Sequence, residues 1–260
     1  SSNNVWKTMC DMVEAEDRGL LKMDFLGLRN LNIITKTVKL IQQRHGINID
    51  VKNLPFEENV FKAIFQTGFT NSIFQFESPG MKQMLRDFKP SCFEDIILLV
   101  AAYRPGPIQY IPAVTKVKKG AKAEYILPEF EEILRVTYGK PIYQEQIMQL
   151  FQLAGFSLGE ADIIRRYMSK KKTEKFMHYK DQFVDGLLKL GADKTAVESF
   201  WTELIEFSKY AFNKSHAAAY AYISYITAYL KYHYPIEYMC GVMCFSPFEK
   251  IPSLIQDCRT

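Results

Sequence analysis

Apolar residues recur along this chain with two different periods, and the period separates one end from the rest. Near the start, Leu21, Met23 and Phe25 alternate with Lys22 and Asp24, which predicts a half-buried strand over 20–26. Ser72-Ile73-Phe74-Gln75-Phe76-Glu77-Ser78 alternates in the same way and predicts a second short strand or extended segment. Elsewhere three-and-four spacing dominates. Leu31, Ile34, Val38 and Ile41 predict a helix that Gly46 ends. Asn53-Leu54-Pro55 opens another, which carries Val60, Ile64 and Phe65 and closes at Gly68. Pro79 and Gly80 lead into a helix over 81–88. Ser91 is the expected N-cap of the next, with Glu94 at capping-box spacing, and that helix runs through Ile96 to Ala102. Tyr103-Arg104-Pro105-Gly106-Pro107 reads as a rigid loop, and 108–127 as an exposed, irregular stretch with Lys116, Lys118, Lys119 and Lys122. Helices are expected at 128–136, 144–154, 160–168, 173–190, 194–209 and 215–231, with a last one from Pro235 past Met243 and breaks at Gly139, Gly155 and Gly191. The expected fold is mostly α, a multi-helix domain with a few short β-strands at its N-terminal edge.

Composition narrows the function classes. The chain has 260 residues, and 48% hydrophobic content is enough for a sizeable core. The formal net charge is only +4, so any surface for nucleic acid must come from local clusters of charge. Five cysteines form no disulfide framework, and Cys240 with Cys244 has no histidine beside it to complete a zinc set. The apolar run from Ala217 to Leu230 is too short to span a bilayer, and no signal peptide is present, which points to a cytoplasmic protein without a membrane partner.

Four stretches carry candidate chemistry. Lys22 and Asp24 share one face of the first expected strand, the residue types that phosphates and divalent metals require; on spacing alone an ordinary edge strand is the stronger reading. Between 165 and 175 there are six basic residues (Arg165, Arg166, Lys170, Lys171, Lys172 and Lys175) against one acid, Glu174. Such a cluster suits a triphosphate or a DNA backbone, and equally a solvated helix end. In Ala211-Phe212-Asn213-Lys214-Ser215-His216, the histidine falls in a first helical turn, where an anion is favoured. Tyr222, Tyr225 and Tyr229 follow at helical spacing, either to stack on bases or as core residues with satisfied hydroxyls. Finally, two prolines around Gly106 fix a loop that aims Arg104, or simply stop a helix, and Gly139-Lys140-Pro141-Ile142-Tyr143-Gln144-Glu145-Gln146 is a similar turn into a helix. No Walker loop, Rossmann fingerprint or serine-protease elbow is present.

Taken in order, GLLKMDFLGL at 19–28, SIFQFESPGMK at 72–82, AAYRPGP at 101–107, PIYQEQIM at 141–148, ADIIRRYMSKKK at 161–172 and AFNKSHAAAYAYISYITAYLKYHYP at 211–235 resemble the α subunits of bacterial DNA polymerase III, the C-family replicative polymerases, and their DnaE-type branch more than the PolC-type. The resemblance implies a fragment holding the C-terminal strand portion of a polymerase palm at 1–29 and the fingers domain at 30–260. It implies that Asp24 matches one of three palm aspartates that hold two Mg²⁺ ions, the site being completed by residues outside this chain. Lys22, Arg165 and Arg166 then match residues that face the triphosphate of the incoming dNTP, and Arg104, Lys214 and His216 lie in motifs near the nucleotide or template. Implied partners are template-primer DNA and dNTP and, for the full-length protein, the sliding clamp and other replisome subunits. With one aspartate only, the isolated fragment is expected to be inactive. Two other readings are a non-catalytic helical protein-interaction module and a stand-alone metal-dependent phosphodiesterase, which would need Glu14, Glu16 or Asp17 beside Asp24.

Overall fold

The computed structural model describes residues 6–23, 27–169, 175 and 177–259. Helix α1 (Met12–Asp17) is capped by Asp11, whose carboxylate accepts the Glu14 N–H at 2.9 Å, yet it buries no residue. Residues 20–23 are irregular and exposed, with Leu21 83% and Met23 67% accessible. The expected strand therefore fails over its described part: with no neighbouring strand among the described residues, alternation has no face to bury. Asp24, Phe25 and Leu26 lie outside the described residues.

Helix α2 (Arg29–His45) buries Ile33, Ile34, Thr37 and Ile41, while Leu31 stays exposed, and Gly46 ends it in the left-handed conformation. Short helix α3 (Glu58–Val60) runs on into a π-helical turn, Phe61–Phe65. The expected helix start at 53–55 is a turn, in which the Asp50 carboxylate accepts from Lys52 N–H at 3.0 Å and Asn53 Nδ2 at 2.7 Å. The second expected strand, 72–78, is likewise a string of turns. Ser72 (φ 62°) and Gln75 (φ 67°) are left-handed, so Ile73 and Phe76 are buried by chain reversal rather than by a pleat. Among the described residues there is no strand, only one isolated parallel bridge between Tyr143 and Phe212.

Helix α4 (Pro79–Phe88) starts with Ser78 as N-cap and Pro79 in its first turn. Helix α5 (Phe93–Ala102) is buried from Asp95 to Ala102 and forms the axis of the first core. Its capping box lies one residue later than the sequence suggests: the Asp95 carboxylate, not Glu94, accepts from Ser91 N–H at 2.7 Å and Cys92 N–H at 3.3 Å. The stretch expected to be irregular holds helix α6 (Ile111–Lys118), anchored by buried Ile111 and Val114. Then follow α7 (Pro128–Leu134), α8 (Gln144–Leu153), α9 (Leu158–Ser169), α10 (Lys180–Lys189), α11 (Lys194–Ser208), α12 (Lys214–His233), α13 (Pro235–Cys244) and α14 (Ile251–Asp257).

Two apolar clusters form. The first gathers α2 to α6 with α12, α13 and α14; α12 packs on α5, and α13 on α2. There Gly241 lets α13 approach so closely that a Cβ would stand 2.4 Å from Thr37 Oγ1. The second cluster gathers α7 to α11 around Phe151, Phe183 and Trp201. The tyrosine stripe on α12 belongs to the first core: Tyr225 is fully buried, donates to Pro55 O at 2.7 Å and accepts from Glu57 N–H at 2.8 Å. No helix among the described residues is long and apolar enough to cross a membrane.

Candidate nucleotide and nucleic-acid interface

The bridge between Tyr143 and Phe212 assembles three of the singled-out stretches. Phe212 N–H donates to Ile142 O at 3.0 Å, and Gln144 N–H donates to Phe212 O at 2.9 Å. Phe212 then serves as a platform. The Arg104 guanidinium carbon lies 3.5 Å from its ring centroid, and the His216 ring meets it edge-on at 5.4 Å. The loop that delivers Arg104 depends on Gly106 (φ 103°), where a Cβ would stand 2.6 Å from the Tyr210 ring. Arg104 makes no ion pair with any described residue, and partial burial draws its pKa below the usual arginine value. It borders a cleft of ≈ 280 Å³, lined also by Gln144, Lys209 and Phe212.

Lys214 and His216 stand on the first turn of α12, a 20-residue helix. Its N-terminus is an anion site that the protein fills itself. The Glu145 carboxylate accepts the Lys214 N–H at 2.9 Å and Asn213 Nδ2 at 2.7 Å, and Asn213 Oδ1 accepts the His216 N–H at 2.8 Å. Lys214 Nζ lies 3.1 Å from Glu94 Oε2 and 5.5 Å from the Tyr143 ring. Tyr143 is fully buried, and its hydroxyl finds no partner among the described residues. Burial, then the nearby carboxylates Glu94, Asp95 and Glu145, push the phenol well above its ordinary value.

Arg165 and Arg166 stand on α9, in the second helical set. One carboxylate holds both. Arg165 Nε and Nη2 lie 2.9 and 2.8 Å from Asp162 Oδ1, and Arg166 Nε and Nη2 lie 2.9 and 2.8 Å from Asp162 Oδ2. The bond from Arg165 is the main cause that draws the Asp162 carboxyl below its usual range. Lys170, Lys171 and Lys172 lie outside the described residues; Lys175 Nζ is 5.4 Å from the Tyr167 ring.

Lys22 is exposed, on the irregular segment described above. No group of three His, Cys, Asp or Glu side chains able to hold a metal ion occurs among the described residues, and Asp24 is not one of them. Arg104, Lys214 and His216 are thus brought together around Phe212 and Tyr143, while Arg165 and Arg166 form a second group. Spacing marked Glu94 only as a helix-cap candidate and Glu145 only as part of a turn into a helix; their contacts with Lys214 had no local signal, because that residue is remote in sequence. Asp162 had one: it stands three and four residues before the two arginines.

Residues 30–191 match the family model of the bacterial DNA polymerase III alpha subunit finger domain. The chain belongs to this family. Curated relatives include the DNA polymerase III subunit alpha of Aquifex aeolicus, 43% identical over 97% of this chain. That of Neisseria meningitidis serogroup B is 44% identical over 97%, and that of Bacillus subtilis 42% identical over 92%. The chain spans 22% of the length of each of these three relatives. This chain is helical over most of its described residues and brings the motifs at 101–107, 141–148 and 211–216 into contact.

Proposed function

We propose that this chain works as part of a DNA-directed DNA polymerase, with the end of a palm at 1–29 and the fingers at 30–260. The supporting observation is the fingers-domain match over 30–191 together with the convergence of the matched motifs on the Phe212 platform. In this reading Arg165 and Arg166 neutralise the triphosphate of the incoming dNTP, with Lys22 acting beside them from the palm edge. Arg104, a cation without a counter-ion among the described residues and stacked on an aromatic ring, suits a phosphate or base of the template-primer. Lys214 and His216 hold the rim of that surface; their backbone amides are already committed to Glu145 and Asn213.

Asp24 is assigned as one metal ligand. No metal centre occurs among the described residues; in this reading the remaining carboxylates for the Mg²⁺ ions come from outside this chain. We assign the chain to the cytoplasm, and the clamp and other replisome subunits to the full-length protein.

Primer extension by the purified chain with Mg²⁺ tests the division of labour: no template-dependent synthesis is expected. Titration with labelled primer-template tests the surface. Arg104→Ala is expected to weaken binding several-fold and to lower the slope of log affinity against log salt by about 1. Unchanged affinity and slope would remove Arg104 from the interface.

A further inference from the structure

We propose that Asp162 is a positioning residue that holds Arg165 and Arg166 as one preformed phosphate fork; the inference rests on the assignment of these arginines to the triphosphate. Each guanidinium turns its Nε–Nη2 edge to a different oxygen of the same carboxylate. A planar guanidinium held by that edge points its Nη1 end away from the carboxylate. Adjacent residues on a helix are fanned about 100° apart and do not face each other. A shared carboxylate three and four residues back draws the two side chains toward each other over the preceding turn.

Without Asp162, each guanidinium loses its two bonds to the shared carboxylate, and the ordering they supply would have to be met when a phosphate binds. The carboxylate also repels the phosphate, but the site is open: Arg166 is 68% and Asp162 30% accessible, so water and salt screen that repulsion. Ordering outweighs repulsion, so losing the carboxylate weakens binding despite the gain in net positive charge. A purely electrostatic role for Asp162 predicts the opposite sign.

The test is calorimetric titration of the chain with inorganic tripolyphosphate and with dATP, for wild type, Asp162→Asn, Asp162→Glu and the double variant Arg165→Ala, Arg166→Ala. Asn offers one acceptor oxygen and an amide that repels the second guanidinium, whereas Glu restores two oxygens. Asp162→Asn is expected to bind both probes about three- to ten-fold more weakly. Asp162→Glu should regain at least half of that loss on a logarithmic scale, and the salt slope should stay within about one phosphate contact of wild type. Equal or tighter binding by Asp162→Asn, with the double variant impaired, overturns the positioning role and leaves the triphosphate assignment standing. An unimpaired double variant overturns both. Failure of Asp162→Glu to rescue, at unchanged helicity, overturns the fork geometry.

Discussion

Replacing Lys118 with methionine isolates the ammonium group that ties the first helical set to the turn leading into α8. Lys118 Nζ lies 2.7 Å from Asp95 Oδ2, 3.0 Å from Ser91 Oγ and 3.2 Å from the Tyr138 hydroxyl. The pair is screened from water, with Lys118 12% and Asp95 2% accessible. Breaking a buried pair costs roughly 3–5 kcal/mol, because one charge is left without a partner. Asp95 keeps four donors in the variant, namely Ser91 N–H, the Ser91 hydroxyl, Cys92 N–H and the Tyr138 hydroxyl at 2.6 Å. Methionine also preserves the apolar stem, so the expected loss is about 2–4 kcal/mol at pH 7. For a domain of this size that lowers Tm by roughly 5–12 °C in a scanning-calorimetry trace.

The pH dependence carries the sharper test. In the wild type, desolvation raises the Asp95 pKa, but the Lys118, Ser91 and Tyr138 hydrogen bonds outweigh it, and the net shift is downward. A depressed carboxyl stabilises the fold above the unfolded value of about 3.9 and loses that stability as pH falls through the folded value. Without Lys118 its hydrogen bond and its charge no longer lower the pKa, so the folded value is higher than in the wild type. The stability gap between the two proteins then grows as pH rises through the variant's folded value. The gap between the two proteins should therefore narrow between pH 7 and pH 4.5. A Tm change below about 2 °C at pH 7, or an equal gap at both pH values, would refute the buried-pair reasoning.

Three substitutions are read out as stability under urea. In Gly186→Ala the new Cβ would stand 1.9 Å from Ala154 O. Overpacking costs about 1–3 kcal/mol and alanine returns about 1 kcal/mol of helix propensity, so a net loss of up to about 2 kcal/mol is expected; a stabilised variant would contradict the close approach of α10 to the end of α8. Tyr143→Phe removes a buried hydroxyl with no partner among the described residues and should be neutral or stabilising by up to about 1 kcal/mol. Tyr225→Phe loses the bonds to Pro55 O and Glu57 N–H and should cost about 1–2 kcal/mol, and equal outcomes for the two tyrosines would mean that the hydroxyl environments do not differ.

What the sequence conveyed about this fold follows from range. Helix α2, with its stop at Gly46, rests on neighbours within four residues and was readable, as was the helix ending at Phe88, although it starts at Pro79, two residues before the expected 81. The two alternating segments misled for one reason. Alternation measures which side chains avoid water, and turns built on left-handed Ser72 and Gln75 bury Ile73 and Phe76 as effectively as a sheet would. Helix α6 was hidden by its lysines, although Ile111 and Val114 at i, i+3 marked its buried side. Of the candidate site, the charged residues were visible, but their company was not. The Phe212 platform and the Lys214–Glu94 pair need chain that meets only after folding. Asp162 was the exception, because helical spacing alone sets it beside both arginines.

The single bridge between Tyr143 and Phe212 has an evolutionary consequence. Between residues 143 and 212 the chain builds α8 to α11, and the bridge joins the two ends of that stretch, while α7, which packs in the same cluster, precedes it. A stretch whose ends are already held together tolerates lengthening or replacement of what lies between them. Arg165 and Arg166 lie within that stretch, whereas Arg104 and His216 lie outside it. Selection can therefore retune one cationic group without disturbing the other, so long as two backbone hydrogen bonds at the base are kept.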